Sequence, residues 1–164
     1  MTEKIIASQA APTQAKEQAV SLRKKIEREG RPLALKFTGF DGRAVDLAAL
    51  KGKVVLIDFW ATWCGPCVQE LPNVKATYAR LHGKGFEILG ISLDSSREQL
   101  NAFLQKEQMP WPQFFDGKGW ENEISRGFEV TGIPTMWLVD KKGIVRDVFA
   151  RHNLAAKVEK LLAE

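Results

Sequence analysis

An α/β fold, with a mixed central β-sheet flanked by helices on both faces, is what this sequence predicts, and three observations carry the prediction. First, the run KVVLIDFW is almost continuously apolar, β-branched and aromatic, the composition of a strand buried on both faces. Second, Cys67, Leu71, Val74, Tyr78 and Leu81 recur at helical spacing after it, and FEILGISLD then supplies another buried strand. A strand–helix–strand unit of this kind requires a parallel pair joined by a right-handed crossover. Third, TMWLVD and IVRDVFA are joined only by KKG, so they form a hairpin and add antiparallel strands to the sheet.

The remaining elements follow in chain order. Residues 1 to about 11 lack periodicity and are expected to be disordered. Pro12 to Glu29 is rich in Ala, Gln, Lys, Glu and Arg, with Val20, Leu22 and Ile26 as sparse apolar contacts. This reads as a helix stopped by Gly30 and the Arg31-Pro32 step. Residues 1–30 are therefore set apart as a disordered start plus a helix, either the remnant of a preceding domain or a helix laid on the main one. Residues 31–164 form the main domain. It opens with LALKFTGFDGRAVDL, whose alternation on both sides of Asp41-Gly42 signals a β-hairpin. The helix after the cysteines is stopped by Gly83 and Gly85, and SREQLNAFLQKEQ is a helix capped by Ser95 or Ser96. WPQFF reads as a short strand and Glu121 to Phe128 as a short helix. NLAAKVEKLLAE closes the chain as an amphipathic helix.

Composition excludes several classes of function. With 164 residues the chain is long enough to bury a proper core. No apolar run approaches the length of a membrane span. The net charge of +4 is mild, and its lysines and arginines are interleaved with acids, as in RKKIERE, so no nucleic-acid stripe is expected. The first twenty residues hold no apolar signal-peptide core, which leaves two expectations: a cytoplasmic protein, or a chain whose leader or anchor lies elsewhere. Both cysteines sit in one motif, so there is no disulfide-stapled scaffold and the fold must stand on its core.

That motif is DFWATWCGPCVQELP. A strand ends near Phe59 or Trp60 and a helix begins within it, so Cys64 falls at a helix N-terminus. Unpaired N–H groups and the helix dipole there favour an anion, which lowers a thiol pKa and raises the thiolate fraction. Cys67 is one turn on, along the same face, placed to attack a mixed disulfide formed at Cys64. Gly65 lets a partner's backbone come close, and Pro66 suits the first helical turn, where no N–H is needed. A metal site would need two further ligands, and His82 and His152 are isolated singles. A purely structural disulfide across so short a loop would stabilise little. Thiol–disulfide exchange is the chemistry in which every residue of the motif has a part.

WCGPC matches the thioredoxin active-site motif, and VVLIDFWATWCGPCVQELP resembles the TlpA/ResA branch of thioredoxin-like proteins. The likeness runs from about Pro32 to the C-terminus and includes DGRAVDLAALKGKVVLIDFWATWC, VTGIPT, and an insertion of the TlpA/ResA type between the second strand and the last hairpin. The resemblance implies a thioredoxin-like fold in which Pro134 follows a cis peptide bond beside Cys64. Ile133 would offer backbone groups to an extended substrate, and Trp63 would lie on the surface beside Cys64. Trp60 is expected to pack, and Trp111, Trp120 and Trp137 to serve as core or insert packing. Asp58, six residues before Cys64, matches the buried acid of thioredoxins, and Glu70, three after Cys67, matches the acid of the TlpA/ResA branch. A buried Asp58 would have a raised pKa and could take the Cys67 proton, with Glu70 as a tuning group. Which of the two acids is the main acceptor stays open at this level.

The implied function is that of a monomeric enzyme that reduces disulfides in other proteins and is recharged by a thiol electron donor. It needs no bound cofactor, because the cysteine pair itself holds the electrons. The Gly-Pro dipeptide resembles the reducing members of the family, and the TlpA/ResA likeness implies an extracytoplasmic or periplasmic location. Two alternatives are kept. A peroxiredoxin-type peroxidase would set its cysteine in Pro-x-x-x-Thr-x-x-Cys, whose proline FWATWC lacks. The other is a non-catalytic thioredoxin-like module that binds a partner or handles copper; copper-delivering relatives pair CxxxC with a distant histidine, whereas the spacing here is CxxC and His152 has no matching context.

Overall fold

The computed structural model of the protein describes residues 13–164. A five-stranded sheet in the order β5-β4-β3-β6-β7 forms the centre. Its strands are β3 (Val54–Trp60), β4 (Phe86–Ser92), β5 (Gln113–Phe114), β6 (Thr135–Val139) and β7 (Val145–Asp147). A separate antiparallel pair, β1 (Lys36–Thr38) and β2 (Ala44–Asp46), precedes it with Phe37 opposite Val45. The helices are α1 (Thr13–Glu27), α2 (Gly65–Leu81), α3 (Arg97–Glu107), α4 (Glu123–Gly127) and α5 (Leu154–Leu162).

Strand β3 is buried at all seven positions, as a central strand covered on both faces must be. It pairs in parallel with β4 and antiparallel with β6, so the sheet is mixed, as the sequence predicts. Parallel pairing of β5 with β4 makes α3 and β5 a second crossover, which lies in the segment read as the insertion. Successive residues of β3 point to opposite faces. Leu56, Asp58 and Trp60 share the face covered by α2 and α3: Phe103 of α3 packs on Trp60 at 5.5 Å between ring centroids, and Lys75 of α2 pairs with Glu107 of α3 at 3.3 Å. Phe59 packs at 5.1 Å against Trp137 on the other face, where Phe128 follows at 5.6 Å.

Several expectations are corrected in detail. Of the helix read over Pro12 to Glu29, Thr13–Glu27 is helical, while Pro12 and the start expected to be disordered lie outside the described residues. Leu22 and Ile26 of α1 are exposed, and Ala19 is buried. Polar groups help to lay the helix on the main body: Lys24 reaches Glu129 at 3.2 Å, and the guanidinium of Arg28, one residue past its end, lies 5.2 Å above both Phe128 and Trp137. Charged side chains thus add to the contact made by Ala19 and the half-buried Val20. Ser96, not Ser95, caps α3. IVRDVFA keeps strand geometry only over Val145–Asp147, because a bulge at Leu138/Val139 shifts the register of the hairpin.

Gly90 of β4 shows how tightly the α2 face is filled. A Cβ added there would lie 2.0 Å from Gln113 Oε1, and that oxygen accepts a 2.8 Å hydrogen bond from Trp60 Nε1–H. Gly90→Ala must therefore expel the buried amide and orphan the indole N–H. A loss of about 3 kcal/mol is expected from overpacking and the broken bond, read as a lower urea midpoint.

Candidate active site

Beyond Trp60 the chain leaves the sheet and turns into α2, and this turn is held from the neighbouring strand. Asp94, buried just past β4, accepts from Thr62 N–H at 3.1 Å and from the Ser92 hydroxyl at 2.7 Å, and the Thr62 hydroxyl donates to it as well. Leu93 N–H donates to Trp60 O at 2.8 Å and joins the same two chain ends. Sequence reading missed Asp94 as a fastener of the cysteine loop; its only signal was an acid directly after a buried strand.

Cys64 is the N-cap of α2, in extended conformation, with Gly65 and Pro66 opening the helix. Its Sγ accepts from Cys67 N–H at 3.3 Å, so a helix-terminal donor already faces the sulfur that is to carry negative charge. The two cysteines are joined in a disulfide with their Cα atoms 5.3 Å apart. Both are buried, while Trp63, Gly65 and Pro66 around them are exposed. A Cβ on Gly65 would touch nothing within 4 Å, so its small size leaves the approach to the disulfide open. The helix runs on through Pro72, which has no N–H to give the Val68 carbonyl.

The Ile133–Pro134 peptide is cis. Phe59 pairs with Thr135, so Pro134 stands at the level of Trp60, at the end of the strands from which the cysteine loop departs. Ile133 precedes β6 and stays outside its ladder, and the Thr135 hydroxyl closes the turn by donating to Gly132 O at 2.6 Å.

Asp58 is buried beneath this loop, and its Oδ1 has no hydrogen-bond partner. Burial, reinforced by the negative charge of Glu70, pushes its pKa up to about 7. Glu70 is half-buried on α2 and lies 3.2 Å from Arg151 Nε, close enough for an ion pair though not aligned for a hydrogen bond. The structure thus brings both sequence-predicted acids into one electrostatic unit and adds Arg151, which nothing in the sequence singled out.

The tryptophans divide differently from the expectation. Trp60, Trp111 and Trp137 are buried, but Trp120 is 49% exposed and Trp63 52%. Their rings are 5.9 Å apart, so Trp120 belongs to the surface around the cysteines and not to the packing of the insert. The short 3-10 turn Gly119–Glu121 holds it there. It also borders a cleft of about 700 Å³ shared with Lys16, Val20 and Lys24 of α1. Among the described residues no group of three or more His, Cys, Asp or Glu is arranged to hold a metal. His82 stacks on Tyr78 at 4.5 Å, and its Nδ1 lies 3.1 Å from Phe86 O.

Comparison with known proteins agrees with this geometry. The AhpC/TSA family matches residues 26–148. The thiol-disulfide oxidoreductase ResA of Bacillus thuringiensis subsp. konkukian is 33% identical over 125 residues, covering 76% of this chain and 70% of that protein. The thioredoxin-like protein YneN of Bacillus subtilis is 33% identical over 124 residues, covering 74% and 70%. The chain spans 55% of the ResA of Oceanobacillus iheyensis. Among solved structures, the thioredoxin domain of a thiol-disulfide oxidoreductase from Bacteroides vulgatus has a TM-score of 0.72 at 30% identity, covering 82% of this chain and 97% of that one. A thiol:disulfide interchange protein from Bacteroides sp. has a TM-score of 0.70 at 29% identity, covering 83% and 91%. With a cysteine pair at the start of the crossover helix and a cis proline at the facing strand, on a thioredoxin-like sheet, the chain belongs to the AhpC/TSA family.

Proposed function

We propose that this protein is a thiol–disulfide oxidoreductase that reduces disulfides in other proteins. The observation that carries the reading is the Cys64–Cys67 disulfide on the first turn of α2, with Cys64 Sγ facing the Cys67 N–H. In the reduced enzyme the Cys64 thiolate attacks one sulfur of a substrate disulfide, and the other sulfur leaves as a thiolate. Cys67 gives its proton to Asp58 and attacks Cys64 Sγ. The second substrate sulfur departs as a thiolate, the two electrons of the enzyme pair now on the substrate. Asp58 is the acceptor because a carboxyl titrating at about 7 can both take and return a proton near neutrality. Glu70, balanced by Arg151, tunes that carboxyl by its charge.

Trp63, Gly65, Pro66, Ile133 and Pro134 form the substrate surface, and Trp120 extends it. The partners are disulfide-bonded proteins and a thiol donor that restores the dithiol, with no bound cofactor. We read the enzyme as a monomer, and its likeness to ResA proteins points to an extracytoplasmic compartment. No described helix is long and apolar enough to cross a membrane. Residues 31–164 are the catalytic domain and α1 an appended helix.

The family match also brings in the peroxidase reading, but two sulfurs already paired across one helical turn favour exchange over a lone peroxidatic cysteine. Titrating the Cys64–Cys67 pair in glutathione or dithiothreitol buffers tests the direction. A potential below about −220 mV is expected, nearer thioredoxin than the strong oxidants. A value near −120 mV would reverse the assignment to an oxidase.

A further inference from the structure

Among the buried polar atoms without a hydrogen-bond partner, Asp58 Oδ1 and Gln113 Nε2 both lie on the α2 face. They lie in one row of the sheet, because Asp58 pairs with Gly90 and Gly90 pairs with Gln113. Residues paired in a ladder send their side chains to the same face, and the residue between these two has none. The Gln113 amide fills that place: its oxygen, carbon and nitrogen all lie within 2.6 Å of where a Gly90 Cβ would be. The indole N–H of Trp60 can only donate, so it fixes the amide oxygen at 2.8 Å and leaves the –NH₂ as the free end. Gln113 is 2% exposed and Asp58 5%, so neither group is satisfied by bulk solvent. One strand spacing, about 4.8 Å, separates Gly90 on β4 from Asp58 on β3, a span that an extended carboxyl and one water can close.

We propose that Gln113 is a positioning residue for Asp58: its –NH₂, anchored through Trp60, donates to the ionised carboxylate through one bridging water. The inference rests on the reading of Asp58 as proton acceptor only for its catalytic consequence. A donor to the charged form favours that form and so opposes the effects of burial and of Glu70. The groups around Asp58 leave this duty to Gln113. Gly90 and Met136, its ladder partners on β4 and β6, carry no charge, and Phe103 of α3 is turned to Trp60. Helix α2 contributes Glu70 and the cysteines, and Arg151 is drawn to Glu70. Gln113 therefore keeps the carboxyl able to release the Cys67 proton after taking it.

The test compares the full chain with Gln113→Met, which keeps length but has no donor, and with Trp60→Phe, which keeps Gln113 but frees its amide. Asp58 is followed directly by carboxyl ¹³C NMR in each protein, with Asp58→Asn for assignment, and the rate of mixed-disulfide resolution is measured in parallel. The Asp58 titration should move up by about one pH unit in Gln113→Met, a tenfold change in proton affinity, and by less in Trp60→Phe. An unmoved Asp58 titration in both variants overturns the proposal, even if Asp58→Asn slows resolution and the acceptor reading stands. A moved titration with normal resolution in Asp58→Asn upholds the Gln113 contact and refutes the acceptor reading. If Gln113→Met fails to fold, Trp60→Phe decides alone: a raised titration supports the contact and an unchanged one refutes it.

Discussion

Mixing the reduced Cys67→Ser protein with a disulfide-bonded substrate yields a covalent complex through Cys64 that persists until an external thiol is added. Cys64 keeps its place as the cap of α2 and a backbone donor on its sulfur, so attack on a substrate disulfide is preserved. Release is lost, because the serine hydroxyl is no nucleophile toward sulfur at neutral pH. In the native protein the resolving sulfur is held within bonding reach of Cys64, as the disulfide itself shows. An external thiol at about 1 mM must replace an intramolecular group of far higher effective concentration, so turnover should fall by roughly 10³-fold or more. Non-reducing electrophoresis and insulin-type turnover assays read the two effects. Cys64→Ser should form no complex at all. A Cys67→Ser protein that turns over normally, or traps nothing, would sink the two-cysteine mechanism.

The second large effect is on stability and concerns Asp58. Its folded pKa of about 7 lies above the unfolded value near 3.8, so the folded state holds this proton more tightly than the unfolded chain does. Stability from this group is therefore full below about pH 4, declines as pH rises, and is lost once pH passes 7. The difference in pKa corresponds to about 4 kcal/mol. Asp58→Asn cannot ionise, so it should be more stable than the native protein at pH 8, by up to about that amount less the cost of an imperfectly paired amide. At pH 4.5 the advantage should largely vanish, because native Asp58 is then protonated. Urea unfolding of both oxidised proteins at the two pH values measures the gap. Parallel stability profiles would show that Asp58 is not the buried, unpaired acid described above. The same substitution should slow resolution by Cys67 at neutral pH, so a more stable and slower protein is the combined signature.

Much of this was legible in the sequence because it is local. KVVLIDFW became β3 with all seven of its strand residues buried, and the spacing from Cys67 to Leu81 became α2. The place of Cys64 at a helix start followed from the strand before it and the periodicity after it. The Gly-x-Pro-Thr element was found by resemblance, and the cis peptide lies at Ile133–Pro134. The helix over Thr13–Glu27 was legible as a helix but not in its mode of attachment, because Lys24, and Arg28 just past its end, look like solvated charges until Glu129, Phe128 and Trp137 are set opposite them.

What the chain's order alone determined is the chemistry: two thiols one helical turn apart at a helix N-terminus, and an acid within the buried strand that precedes them. Tertiary structure decided the surroundings that tune this chemistry. Trp60 and Gln113 are 53 positions apart in the chain, and their hydrogen bond exists only because β5 joins the sheet beside Gly90. Arg151 reaches Glu70, and Trp120 comes to lie beside Trp63, by the same kind of closure. Periodicity reports how a residue faces its own element, whereas the groups that meet across elements are set by sheet order and register, which no local pattern encodes.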